Sequence, residues 1–115
     1  MRLKKRDRVH QVFRWLKDRH PVEGEVRLRI ESVMPKSMKD CEGAVWLSEA
    51  PLIRINGKQT RSACIYCLLH EYAHVIVYER DTEYPGDDHS DSFYRALGVV
   101  ERSWLNGGEE DSQKF

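Results

Sequence analysis

Ile65-Tyr66-Cys67-Leu68-Leu69-His70-Glu71-Tyr72-Ala73-His74-Val75-Ile76 is the stretch that decides how the rest of this chain is read. Ile65, Leu68, Leu69, Tyr72 and Ile76 recur at helical spacing and trace one apolar stripe, which predicts a helix over about residues 59–79. At about 100° per residue, Cys67, His70, Glu71 and His74 fall on the opposite side of that helix. His70 and His74 lie one turn apart, so both imidazoles can reach the same metal ion. Glu71 stands beside them, placed to take a proton from a water molecule at the metal's open position.

Two histidines do not complete a catalytic zinc site, which uses three protein ligands and one open position. Downstream, residues 81–88 read as an acidic turn around Pro85-Gly86, and a helix is expected from about 89 to 104. Its core stripe is Phe93, Leu97, Val100 and Trp104, and one turn back along the same face stands His89. His89 is therefore the expected third ligand, with Asp88, Asp87, Asp91 and Glu83 as carboxylate competitors. Asp88 or Asp91 also suits a second role, either holding the outer nitrogen of a ligand histidine or, like Ser90, capping the helix.

Upstream, Val9, Val12, Phe13 and Leu16 recur at i, i+3, i+4 and i+7, predicting an amphipathic helix over about residues 5–19 that His20-Pro21 ends. Val26, Leu28 and Ile30 alternate with Arg27, Arg29 and Glu31, the period of a half-buried strand. Two further short strands are expected at about Ala44 to Ser48 and Leu52 to Asn56, closed by Asn56-Gly57. The fold class is thus α+β: an N-terminal helix, a small three-stranded and mostly antiparallel sheet, the metal-site helix and a C-terminal helix. Residues 1–105 form one expected domain, and the polar, glycine-containing 106–115 an expected flexible tail.

At 115 residues the chain has the size of one domain, and its 40% hydrophobic and 33% charged composition suits a globular fold with a solvated surface. No apolar run is long enough to span a membrane and no leader pattern precedes the first helix, so a cytoplasmic location is expected. Cys41, Cys64 and Cys67 are odd in number, which argues against a disulfide framework. Cys64 and Cys67 lack the second ligand pair of a structural zinc site and read as small buried residues. Charge is balanced but polarised: residues 1–20 carry eight basic and two acidic side chains, residues 79–115 four and ten. The basic N-terminal helix could meet nucleic acid, although a solvated face is the ordinary reading of such a run.

With His70-Glu71-Tyr72-Ala73-His74 and then His89-Ser90-Asp91-Ser92-Phe93-Tyr94, residues 40–100 resemble a minimal zincin metallopeptidase of the SprT-like and WLM-type group. The resemblance implies one Zn2+ ion bound by His70, His74 and His89, with Glu71 as general base and later proton donor to the leaving amine. It implies a protein or peptide substrate bound by strand addition along Cys41 to Trp46, with Leu52 to Asn56 as the inner neighbour. Metzincins place Gly and His where this chain has Val77 and Arg80. ImmA/IrrE-like regulatory proteases use an acidic third ligand, against which His89 argues. The zinc ribbon of SprT-like DNA-repair proteases has no counterpart here. A non-catalytic, metal-stabilised binding module and a hydrolase of non-peptide bonds share the motif; the intact Glu71 speaks for catalysis. Tyr78, Tyr84, Tyr94 and Arg95 are the candidates for stabilising an oxyanion.

Overall fold

A computed structural model describes residues 2–36, 42–80 and 89–115. The first helix, α1 (Lys5–Arg19), turns the Val9, Val12, Phe13, Trp15 and Leu16 side inward and stops at His20, whose backbone N–H still reaches Leu16 O. Three strands follow: β1 (Arg27–Glu31), β2 (Gly43–Trp46) and β3 (Leu52–Asn56). The long helix α2 (Arg61–Arg80) opens at Thr60, whose hydroxyl accepts from Ala63 N–H at 3.2 Å in place of the missing preceding turn.

The sheet order is β1-β3-β2, and the sheet is mixed. β2 and β3 form an antiparallel hairpin, Val45 opposite Ile53, while β1 joins the other side of β3 in parallel, Leu28 opposite Ile53 and Ile30 opposite Ile55. Because side chains alternate, this register puts Leu28, Ile30, Val45, Ile53 and Ile55 on the core face. Arg29, Glu31 and Arg54 meet as ion pairs on the outer face. Among the described strands, this order leaves β2 at an edge.

α2 is the centre of the molecule. Its expected stripe packs on α1 and the sheet, and its histidine side is covered by a third helix, α3 (Asp91–Ser103). Polarity is segregated around α2, but burial is not: Glu71 and His74 are as sequestered as the apolar Val77 and Ile76. Tyr72 is fully buried, its ring edge-on to Phe13, and its hydroxyl donates to His20 O at 2.6 Å. Glu79 accepts the backbone N–H groups of Glu23 and Gly24 at 2.8 and 2.6 Å, tying the α1–β1 connection to α2.

The C-terminal segment differs from the expected flexible tail. After a kink at Asn106-Gly107 the chain continues in helical turns through α4 (Glu109–Asp111) to Lys114 and lies against α1. The basic residues of α1 supply what a polar tail lacks in apolar surface. Arg8 donates to Glu109 O at 3.0 Å, Gln11 to Gln113 O at 3.1 Å and Arg14 to Phe115 O at 3.0 Å, while Arg19 pairs with Asp111. These donors occupy carbonyls that the end of a helix leaves open. Trp104 stacks edge-on with Trp15, and Arg8 lies over the Trp104 ring. Among the described residues no helix is long and apolar enough to cross a membrane.

Candidate metal centre

α2 carries His70 and His74 on one face, and the chain returns beside that face just before α3. Ser90 caps α3, its hydroxyl accepting from Phe93 N–H at 3.3 Å. His89 therefore stands in the turn ahead of the helix, which starts at Asp91, two residues after the expected start at about 89. The cap fixes where α3 starts, and so where His89 points.

The three imidazoles form a nearly equilateral triangle, with centroid separations of 5.1, 5.3 and 5.3 Å. One nitrogen from each lies within 4.8 Å of the others, and His70 Nε2 and His89 Nε2 are 3.3 Å apart. Two nitrogens bonded at about 2.0–2.1 Å to one tetrahedral ion stand about 3.3–3.4 Å apart. The group can hold a metal ion. Burial, reinforced by the neighbouring His89, holds His70 below the ordinary imidazole pKa, and metal binding requires that neutral form. Asp91 is not part of this group; Glu83, Asp87 and Asp88 lie outside the described residues.

Phe93 is the floor of the triangle. Fully buried, it stacks on His74 at 4.1 Å with rings 22° apart, and meets His70 and His89 edge-on at 4.9 and 5.1 Å. The sequence offered it as a core residue and as part of the His89-to-Tyr94 motif, with no role at the metal group. The signal for its second role is its spacing, four residues after His89 in the first turn of α3.

Glu71 lines the same cleft as the histidines, about 360 Å3 in volume, whose other wall is Gly43, Ala44, Val45 and Leu47. The edge strand thus borders the metal group. Gly43 is required by that approach, since a Cβ there would collide with Cys67 Sγ. Cys67 lines the neighbouring cleft, and burial, followed by Glu71 and Glu42, pushes its thiol up to about 12. Cys64 is fully buried and its thiol is likewise raised by burial; neither is a nucleophile at neutral pH. Of the oxyanion candidates, Tyr94 places its ring 6.2 Å from His89, and Tyr84 lies outside the described residues.

Comparison of the chain with family models, curated proteins and solved structures finds no match.

Proposed function

We propose that this protein is a zinc-dependent metallopeptidase. The observation that carries the reading is the convergence of His70, His74 and His89 on a cleft that Glu71 and the edge strand β2 also line. Three imidazoles and one open position are the ligand set of catalytic zinc, and His89 within the triangle favours this set over one with a carboxylate third ligand. When bound, zinc would supply Lewis acidity to the peptide carbonyl and to the attacking water.

Glu71 takes the proton from that water and returns it to the leaving amine. Water is the nucleophile, so the cysteines need no role, and Ser90 is already engaged in capping α3. The peptide is held as an added strand along β2, whose outer edge has no neighbour among the described strands. Antiparallel pairing, the slightly more stable arrangement, supplies its main-chain hydrogen bonds. Nucleic acid is not part of the proposal, because Arg8, Arg14 and Arg19 of the basic helix are engaged with the chain's own C-terminal segment.

Zinc-loaded wild type and Glu71→Gln, incubated with a panel of unfolded proteins, test the reading. Both should retain one metal ion, and only the wild type should cut. Equal cutting by both would remove Glu71 from the mechanism. Wild type that holds metal and binds peptides without cutting would make the protein a binding module.

A further inference from the structure

Two clefts meet at Gly43, His70 and Glu71, and their walls differ in kind. On the metal side the remaining wall is Ala44 and Val45 of β2 and the following Leu47, all apolar. On the other side, a cleft of about 520 Å3 is bounded by Glu42, Ala63, Tyr66, Cys67 and Glu101, and among the described residues no lysine or arginine lines it.

The charged walls come from two separate elements. Glu42 stands at the head of β2, its carbonyl fixed by Asn56 N–H at 2.9 Å and Gln59 Nε2 at 2.7 Å. Glu101 comes from α3, two turns beyond Phe93 and so on the face that meets α2. Ala63 and Cys67 leave depth between them, and the half-exposed Tyr66 offers an aromatic side.

We infer that this cleft is the subsite for a lysine or arginine side chain on the carboxyl side of the cleaved bond. The inference rests on the peptidase reading and extends it to the substrate class. The cleft is located by its junction with the histidine group, and the carboxylates decide what enters it. A long aliphatic stem can lie along Tyr66, Ala63 and Cys67 while its cation reaches Glu42 and Glu101. An acidic side chain would face like charge on both walls. Direction follows from antiparallel strand addition: a peptide running opposite to β2 carries its later residues toward Glu42.

The test uses the zinc-loaded full chain and a mixed peptide library, with cut sites read by mass spectrometry. Lysine or arginine should be enriched at least about tenfold in the first position after the cut, and Glu101→Lys should abolish that enrichment while zinc content is unchanged. Cutting without such enrichment, or enrichment that survives Glu101→Lys, overturns the subsite and leaves the peptidase reading standing. If wild type cuts nothing, the peptidase reading fails on its own, and the subsite is judged by binding. Fluorescent peptides differing only by lysine against glutamate are then titrated into zinc-loaded Glu71→Gln protein. Preference for the lysine peptide, weakened by Glu101→Gln, supports the subsite; equal affinity overturns it.

Discussion

His70 Nε2 and His89 Nε2 stand 3.3 Å apart, although a helix end and the 81–88 segment separate them along the chain. Two imidazoles at that distance cannot both be protonated without strong repulsion, and they cannot share more than one hydrogen bond. A metal ion between them removes both constraints. His89→Ala should therefore weaken zinc binding by more than the roughly 10–100-fold typical of losing a supporting outer partner, and abolish cutting. Titration against a competing chelator measures it. Unchanged affinity would move the third ligand to a carboxylate.

Phe93 ties the metal group to the core, and its loss should be felt in both. Phe93→Ala removes a fully buried ring and should cost about 3–5 kcal/mol in the metal-free protein, read from urea unfolding. Phe93→Leu keeps apolar volume but not the stacked face against His74, so it should cost less stability while still loosening zinc. A Leu variant with unaltered zinc affinity would reduce Phe93 to a packing residue.

The elements were legible in the sequence because each has a simple period: α1, β1, β3 and α2 lie within two residues of their expected spans. The histidine triangle was legible for the same reason, since helical spacing fixes His70 and His74 and the α3 stripe points back to His89. What the periods do not encode is long-range pairing. The parallel entry of β1 beside β3 depends on which edge of the hairpin it meets, and local alternation is the same in either direction. The C-terminal segment has no apolar stripe, so nothing local announces it. It is held by donors from α1, about one hundred residues away.

Cys67 predicts how stability depends on pH. Its thiol is pushed from the ordinary 9.0 up to about 12, chiefly by burial, so the folded chain keeps a proton that the unfolded chain loses. Below about pH 9 both states are protonated and no dependence arises. Above it the unfolded state binds fewer protons, and stability falls as pH rises toward about 12. Tyr72, also raised by burial, acts in the same direction at higher pH. Melting temperatures from pH 8 to 11 should decline in the wild type and decline less in Cys67→Ala. Identical slopes would show that the thiol ionises equally in both states.

Two glycines in the C-terminal third should respond in opposite directions to the same substitution. Gly98 lies on the exposed side of α3 with open space where a Cβ would project. Alanine there lowers the entropy of the unfolded chain and costs nothing in the fold, so Gly98→Ala should stabilise by about 0.5–1 kcal/mol. Gly108 has ordinary helical torsions, so its need for glycine is not conformational. A Cβ at that position would stand 2.6 Å from the ring of Trp15, which is buried and itself wedged against Trp104. The ring cannot retreat without disturbing α1, so Gly108→Ala should destabilise by about 1–3 kcal/mol. Urea unfolding of the two variants separates a docked segment from a loose one, because a mobile tail would leave Gly108→Ala indistinguishable from wild type.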